Sequence, residues 1–278
     1  MHLKCIGRMP LWVRVPPQAQ IKHKLYPFMC AFRTKSINDN FFKKWSSNMA
    51  YVLGYFVADG CIGISKGRKK PYVFSITSID TPHLYKIRKA MGSTHKLSVK
   101  FNGDHSSVAH QLQFRNETIA LDLIKMGITP RKTYNLPPIK VPDKYFPDFV
   151  RGFFDGDGSV FIYTVNGVPQ IKGNFVCVSL SFIEDFNSNL CKRLKIPQKY
   201  LQKSQPRGKD TYLLKYHIAM YISDCEKLFK FMYGNNPELY LTRKYKVFQK
   251  WNSLTRRHYI KTNYPSKVGW HLNKNASK

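Results

Sequence analysis

The chain has 278 residues, of which 46 are Lys or Arg and 16 are Asp or Glu, so its formal net charge is +30. A hydrophobic content of 43% excludes wholesale disorder. A positive excess of this size repels itself in a compact fold and is typical of proteins that bind a polyanion, which favours nucleic acid as the partner. A ribosome-bound protein or a generic basic surface is the alternative.

The six cysteines are scattered through the chain and form no Cys-x-x-Cys motif. This spacing argues against a zinc site and a disulfide framework, so we expect an intracellular, reducing location, in a bacterial or archaeal cytoplasm or in an organelle. No apolar run approaches the ~20 residues that span a bilayer, and the N-terminus lacks a signal-peptide hydrophobic segment. We therefore expect no membrane partner.

Residues 1–45 are predicted to form a basic N-terminal extension, because prolines interrupt them and no acid precedes Asp39. An organellar transit peptide, an arm that lies along DNA, and translation from an upstream reading frame are three open interpretations of this segment. Residues 46–145 and 146–252 are predicted to form two similar halves. Residues 253–278 are predicted to form a basic C-terminal tail.

The first half reads as helix–strand–strand–helix–strand–strand–helix. Ser46 can cap a helix that runs to about Ala58 and stops at Gly60. Two alternating strands follow, Thr81-Pro82 opens the next helix, and two more strands lead to a helix over about 118–126. The alternation predicts an antiparallel sheet with helices on one face and a polar, basic opposite face.

The same order recurs in the second half. Val176 and Val178 alternate with polar neighbours, which predicts a strand that presents Ser179 on the polar face. Residues 199–204 and 212–219 can form the second hairpin. The fold class is therefore predicted to be α+β, with two pseudo-symmetric αββαββα halves.

One short stretch occurs twice, at residues 52–60 and 150–158, and its final aspartates lie 98 residues apart (157 − 59). Small residues lie four apart in both copies: Gly54 and Ala58, Gly152 and Gly156. On a helix each pair shares one face, and small residues at this spacing let two helix backbones approach closely. The two helices are therefore predicted to pack together as the seam between the halves. Alternatively, each glycine packs against its own sheet.

Each copy ends in an aspartate, Asp59 or Asp157, at the predicted C-terminus of a helix. The partial negative charge there disfavours an acid by ~0.3–1 kcal/mol, and two acids across a tight seam would repel. A divalent cation removes this conflict, because hard cations prefer carboxylate oxygen. The pair therefore predicts a metal site that faces a phosphate backbone, as metal-assisted phosphodiester cleavage requires.

A neighbouring acid, Asp155, gives residues 155–159 the look of a calcium-binding loop. That loop needs Gly at its sixth position and Glu at its twelfth, where this chain has Val160 and Asn166. Because Val57 occupies the matching place in the first copy, we interpret Asp155 as peripheral.

An Arg-Lys pair recurs at one matching place in each half, as Arg131-Lys132 and Arg243-Lys244. Lys132 and Lys244 could stabilise developing phosphate charge or position the nucleophilic water. In a chain this basic, the alternative is that they are ordinary phosphate contacts or solvated side chains. The sequence leaves open whether they reach the joint.

The two repeated stretches resemble the signature helices of the LAGLIDADG homing endonucleases, in the single-chain form with two motifs. The resemblance extends from about Ser47 to Trp251. It implies saddle-shaped sheets that contact the DNA major groove, joined at the two packed signature helices. It also implies cleavage across the minor groove that leaves 3′ overhangs. The chain departs from the family pattern at Val57, where an acid is common, and at the start of each motif.

The resemblance implies that the two aspartates bind the metal and that Lys132 and Lys244 are the catalytic basic residues. The predicted metal site comprises the acids and their neighbours: Asp59, Asp157, Ala58, Gly60, Gly156 and Gly158. Mg²⁺ is the implied cofactor; Mn²⁺ can substitute for it, and Ca²⁺ can bind without supporting cleavage. The predicted DNA-binding residues are Ser65, Arg68, Lys70, Ser75, Thr77, Lys96, Lys100, Gln111, Gln113 and Arg115 in the first half, and Ser159, Tyr163, Ser179, Lys203, Arg207, Lys215 and His217 in the second.

Together these features favour an intron-encoded, magnesium-dependent, site-specific endonuclease that acts as a monomer on a long double-stranded DNA target. The alternatives on the same fold are an RNA maturase that assists splicing of a host intron RNA, and a non-cleaving DNA-binding regulator. Retention of both aspartates and both matched lysines favours cleavage.

Overall fold

The computed structural model describes residues 35–69, 71–101, 108–205 and 214–255. Most of the predicted N-terminal extension, most of the predicted C-terminal tail, Lys70 and Arg207 lie outside the described residues, so what was predicted for them stays a prediction. Two phenylalanines of the predicted extension, Phe41 and Phe42, are nonetheless buried in the core. The segment next to the first helix therefore packs with the first half.

The first half begins with helix α1 (Ser47–Asp59), which carries the first repeated stretch. Ser46 caps this helix as predicted, since its Oγ accepts a hydrogen bond from the Met49 backbone N–H at 3.1 Å. The elements that follow are β1 (Gly60–Ile64), β2 (Tyr72–Ser78), α2 (Thr81–Ala90), β3 (Leu97–Phe101), β4 (Val108–Arg115), α3 (Glu117–Lys125) and the short α4 (Lys132–Asn135).

The second half repeats this order after a short 3₁₀ turn at Asp143–Tyr145. Its elements are α5 (Phe146–Asp157), β5 (Ser159–Val165), β6 (Val168–Cys177), α6 (Leu180–Leu194), β7 (Leu201–Ser204), β8 (Lys215–Met220), α7 (Ile222–Tyr233) and α8 (Thr242–Thr255). Helix α5 carries the second repeated stretch.

Each half forms an antiparallel four-stranded sheet, in the equivalent orders β1-β2-β4-β3 and β5-β6-β8-β7. In the first sheet the buried pairs Phe74–Phe114 and Ile76–Leu112 share one face, against which α2 and α3 pack. The residues between them point to the other face, because side chains alternate along a strand. The predicted α+β class and the αββαββα halves are confirmed.

The strand predicted around Val176 was assigned the wrong faces. The buried residues of β6 are Ile171, Gly173 and Phe175, so Val176 points away from the helices. A one-residue change of register moves every side chain of a strand to the opposite face. The burial of Phe175 determines which side chains of β6 face the helices. The alternation of Val176 and Val178 with polar residues does not predict these faces correctly.

Ser179 is therefore not on the polar face of the sheet, which corrects its prediction as a DNA-binding residue. It immediately precedes α6 and is buried, and its Oγ donates a hydrogen bond to the Leu136 carbonyl at 2.7 Å. This bond ties the start of α6 to the segment after α4. The role of Ser179 in this structure is to connect these elements.

Candidate active site and nucleic-acid interface

Helices α1 and α5 pack against each other with almost no space between their backbones. A Cβ atom on Gly54 would lie 2.1 Å from the Phe149 carbonyl oxygen, and one on Gly152 would lie 2.0 Å from the Tyr51 carbonyl oxygen. Only glycine allows so close an approach. The two small residues therefore lie in the seam between the halves.

The C-terminal ends of the two helices also meet. A Cβ on Gly156 would lie 2.2 Å from the Ala58 Cβ and 3.6 Å from an oxygen of Asp59. Asp59 and Asp157 are the last residues of α1 and α5, and each keeps part of its surface open to solvent while the rest is covered by protein. The packing therefore brings one carboxylate from each half to a single joint, from which β1 and β5 both start.

The electrostatics of the joint raise the pKa of both acids. The surrounding protein displaces water from the Asp157 carboxylate and raises its pKa to about 6. The negative charge of Asp59 raises this pKa further, whereas the positive charges of Lys132 and Lys244 lower it. The pKa of Asp59 is also raised, chiefly because the protein displaces water from its carboxylate, although a hydrogen bond from Tyr55 opposes the shift. A cation bound between the two carboxylates would offset their mutual repulsion.

The joint offers two carboxylates, and carboxylate oxygens are donors that hard divalent cations prefer. Within residues 35–69, 71–101, 108–205 and 214–255, no group of three or more His, Cys, Asp or Glu side chains is placed to hold a metal ion. The candidate ligands are therefore the two carboxylates and nearby backbone carbonyls. Mg²⁺ suits such a set, because it commonly uses one or two carboxylates and keeps several waters.

Lys132 and Lys244 both reach the joint, where Lys132 binds the C-terminal carbonyls of α1 and Lys244 binds those of α5. Lys132 Nζ donates to the carbonyls of Val57 at 2.5 Å and Ala58 at 3.3 Å. These carbonyls lack partners within the helix, and a cation at this end is favoured by the helix dipole. Lys132 therefore caps α1.

Lys244 caps α5 with more contacts. Its Nζ lies 2.7 Å from the carbonyl oxygens of Phe154 and Asp155, 3.3 Å from that of Gly156 and 2.5 Å from that of Gly158. The Gly158 carbonyl, a predicted metal ligand, is thus bound by this lysine, whereas the Gly156 carbonyl has only a long contact.

Both lysines are buried, which lowers the pKa of Lys132 and lowers that of Lys244 to about 8, while the nearby aspartates oppose these shifts. The negative charge of Asp157 is the largest of these opposing effects at Lys132, and that of Asp155 is the largest at Lys244. The two buried ammonium groups therefore offset part of the negative charge that the aspartates bring to the joint.

Asp155 is not peripheral, which corrects the interpretation drawn from its lack of an acidic counterpart. It is 1% exposed, and its Oδ2 accepts hydrogen bonds from the Tyr51 hydroxyl and the Leu241 backbone N–H, both at 2.7 Å. Tyr51 also contacts His83 Nε2 at 2.8 Å. Asp155 thus links α1 of the first half to the segment that leads into α8, which carries Lys244.

The polar face of the first sheet carries the side chains predicted for it. Ser75 pairs with Gln113 and Thr77 with Gln111, on the face opposite the buried phenylalanines. Gln111 Nε2 donates to Thr77 Oγ1 at 3.0 Å, so neighbouring strands are joined on this face. Arg115 pairs with Val73 on the same face.

In the second sheet, strand pairing places some of the predicted residues on the face away from the helices and places one on the helix side. His217 pairs with Val176 and Gln202 on the face away from the helices. Lys203 instead pairs with Tyr216 and lines a cavity with residues of α6, so it is on the helix side. The prediction for Lys203 was wrong because its strand was read without the register that β8 imposes.

Several residues on the polar face of the second sheet were missed by the sequence analysis. Their positions follow from the pairing of β5 with β6 and of β7 with β8. They are Gln170, Lys172, Asn174, Gln202 and Ser204. The signal that could have identified them is the alternation of Ile171, Gly173 and Phe175, which begins β6 earlier than expected.

The fold and the joint define a class of α+β protein with two equivalent halves, paired helices and a shared acidic site between two polar sheet faces. Residues 148–232 match a family model described as a LAGLIDADG-like domain. The resemblance to the LAGLIDADG family is thereby confirmed for the second half, and the first half repeats the same topology around its own copy of the motif.

Similar solved structures include the homing endonuclease I-WcaI bound to its DNA recognition sequence, which is 12% identical, covers 75% of this chain and 90% of its own, and has a TM-score of 0.46. The LAGLIDADG homing endonuclease I-GzeII in complex with its DNA target is 12% identical, with 84% and 94% coverage and a TM-score of 0.48. Full-length DUF199/WhiA from Thermatoga maritima is 10% identical, with 86% and 71% coverage and a TM-score of 0.45. No curated protein matches the sequence. Among the described helices, none is both long and apolar enough to span a membrane.

Proposed function

We propose that the protein is a metal-dependent, site-specific endonuclease that cuts both strands of a long DNA duplex. The observation that carries this proposal is the joint itself, where Asp59 and Asp157 meet between two polar sheet faces. One acid from each half suits a reaction on two strands related by approximate two-fold symmetry. The LAGLIDADG-like domain in residues 148–232 supports the same conclusion.

In this proposal Asp59 and Asp157 hold Mg²⁺, with the Ala58 and Gly156 carbonyls as further candidate ligands. When bound, the cation supplies charge stabilisation at the phosphodiester and favours formation of a nucleophilic hydroxide. The seam glycines keep the two carboxylates close. Lys132 and Lys244 hold the helix ends in place and add positive charge beside the scissile phosphates.

The two sheets would bind the major groove on either side of the joint, with the minor groove facing the aspartates. Their polar faces present amide, hydroxyl, imidazole and basic side chains, which suit base edges and phosphates. The net charge of +30 favours association with a polyanion. A single chain holds both halves, so we propose that the monomer is the active form. Cleavage across the minor groove would leave 3′ overhangs, and an intron is the proposed location of the coding sequence.

The test is cleavage-site selection from a random duplex library, with and without magnesium, followed by binding and cleavage of the selected site. We expect Asp59→Asn and Asp157→Asn each to abolish double-strand cleavage and to leave DNA binding within a few-fold of wild type. Glu184→Gln, an exposed acid on α6, is the matched control and should cut normally.

Full cleavage by either aspartate variant would remove the metal assignment. Cutting without sequence preference would contradict site specificity. Tight, specific binding without cleavage by the unmodified protein in magnesium would favour the non-cleaving regulator instead.

A further inference from the structure

Three polar side chains on adjacent strands of the second sheet form a connected network. They are Asn174 on β6, Ser204 on β7 and His217 on β8, all on the face away from the helices. Ser204 Oγ lies 2.6 Å from His217 Nε2, and His217 Nδ1 lies 3.1 Å from the Asn174 amide. Both nitrogens of the imidazole are therefore engaged.

The Asn174 amide has one orientation that satisfies all of its contacts. With Nδ2 directed at the backbone, it donates to the Ile218 carbonyl at 3.0 Å and the Phe175 carbonyl at 3.3 Å, and Oδ1 accepts from His217 Nδ1 at 3.1 Å. In the reverse orientation the amide oxygen would face two carbonyl oxygens, which is repulsive. The backbone of β6 and β8 thus sets the direction of this amide.

The amide direction determines the tautomer of His217. Because Asn174 Oδ1 is an acceptor, His217 Nδ1 must carry the proton, and Nε2 of the neutral ring is then an acceptor. Burial lowers the pKa of His217, and the charges of Lys215 and Lys172 lower it further, in the same direction as the neutral ring that these contacts require. At 2.6 Å from an acceptor nitrogen, the Ser204 hydroxyl has to donate its only proton to Nε2.

Ser204 Oγ is left with lone pairs and no proton to offer. A free serine hydroxyl rotates and can pair with either donors or acceptors, but this one acts as an acceptor only. In the major groove the exocyclic amino groups of adenine and cytosine are donors, whereas guanine O6 and thymine O4 are acceptors.

We propose that Ser204 is a specificity-determining residue whose oxygen reads the amino group of an adenine or cytosine in the half-site bound by the second sheet, with Asn174 and His217 as its positioning residues. The inference rests on the proposed binding of DNA by this face. It specifies that Ser204 accepts, and does not donate, the hydrogen bond to the base. The general resemblance to DNA-binding proteins does not specify this direction.

The first sheet provides a natural contrast. There Gln111 Nε2 donates to Thr77 Oγ1 at 3.0 Å, so the Thr77 hydroxyl keeps its own proton. A contact made by Thr77 can therefore pair with either kind of base edge. The Thr77 hydroxyl therefore lacks the fixed polarity that the imidazole imposes on Ser204.

The test is selection of bound duplexes from a random library in the absence of divalent cations, for wild type and four variants. Wild type should select adenine or cytosine at one position in one half-site. Ser204→Ala should lower that preference roughly three- to tenfold, the range expected for one neutral hydrogen bond, and Ser204→Thr should retain it. His217→Phe should free the hydroxyl proton, so that guanine and thymine are accepted at the same position. Ser188→Ala, at an exposed serine on α6, should leave that position unchanged.

Thermal unfolding of each variant checks that it is folded. If Ser204→Ala does not fold, the inference is tested by Ser204→Thr, which should retain the preference, and by His217→Phe, which should relax it. An unchanged profile in Ser204→Ala, or a wild-type preference for guanine or thymine at the position that this variant alters, would overturn the inference while leaving the proposed function intact. A wild-type profile without any sequence preference would instead contradict site-specific binding, and this assignment with it.

Discussion

Gly54 and Gly152 occupy equivalent positions on the two signature helices, and each faces a backbone carbonyl of the opposite helix. A Cβ at either glycine would lie within 2.1 Å of that carbonyl oxygen. The glycines lie 98 residues apart in the sequence, as do Tyr51 and Phe149, whose carbonyls they face. The seam therefore has approximate two-fold symmetry, which centres the two aspartates between the halves.

This contact predicts that Gly54→Ala and Gly152→Ala each destabilise the fold by about 3 kcal/mol, because the obstacle is backbone that cannot rotate away. The loss exceeds the ~1 kcal/mol that alanine gains over glycine in a helix. Urea unfolding measures the effect. Gly63→Ala is the control, because its Cβ would meet Val73 at an ordinary 3.6 Å. Equal stability of all three variants would contradict the close approach of the helices.

The contact between Ala58 and Gly156 predicts a compensating exchange. Gly156→Ala places two methyl groups 2.2 Å apart and should destabilise the protein by about 1–3 kcal/mol. It should also reduce cleavage, because it separates the helix ends that carry the aspartates. The double variant Ala58→Gly/Gly156→Ala again has one methyl group at this point, so its stability and activity should return most of the way to wild type. A double-mutant cycle measures the coupling. Simple additivity of the two changes would show that the residues do not touch.

Because Lys244 caps its helix with more contacts than Lys132, we expect its substitution to lower the free energy of unfolding by more. Lys244→Met leaves four carbonyl contacts unmade and should cost about 3 kcal/mol, whereas Lys132→Met leaves two and should cost about 1 kcal/mol. Denaturant unfolding of both variants gives the comparison, and Lys125→Met, an exposed lysine in the last turn of α3, should be nearly neutral. A larger loss for Lys132→Met would mean that these contacts do not set the stability of the helix ends.

The buried His83 should make the free energy of unfolding fall as the pH is lowered. Burial and the nearby charge of Lys86 lower the pKa of this histidine from 6.5 to about 4. Below pH 6.5 the unfolded chain therefore takes up a proton that the folded protein resists, so the contribution of the neutral ring is complete above pH 6.5 and is lost as the pH falls through about 4. Between pH 7 and pH 4, wild type should lose about 3 kcal/mol more than His83→Gln. Paired urea titrations at several pH values test this, since other titrating groups cancel in the difference. A difference that stays constant with pH would show that His83 titrates normally.

The repeated motif, the helix and strand order and the joint acids were accessible from the sequence because they depend on local patterns. Capping by Ser46, the glycine spacing and the polar-apolar alternation each operate over a few residues, and their physical effects are short-ranged. The matching positions of Lys132 and Lys244 were likewise visible as a second repeat. Their burial and their carbonyl partners were not, because those depend on how distant segments pack.

The errors arose where one residue of register or one distant contact decides the outcome. Lys203 and Ser179 carry suitable side chains for DNA, but the register of β7 and the end of β6 place them elsewhere. Asp155 lacked an acidic counterpart in the other half, yet its partners, Tyr51 and Leu241, lie 104 and 86 residues away.

The sequence by itself determined that two similar halves exist, that each brings one helix-terminal aspartate, and that the surface is strongly basic. The tertiary structure decided which side chains share a face and which polar groups become partners. These relationships depend on strand pairing and on packing between segments far apart in the chain. The connection of Asn174 through His217 to Ser204 is such a case, since three strands must align before any of the three side chains has a defined role.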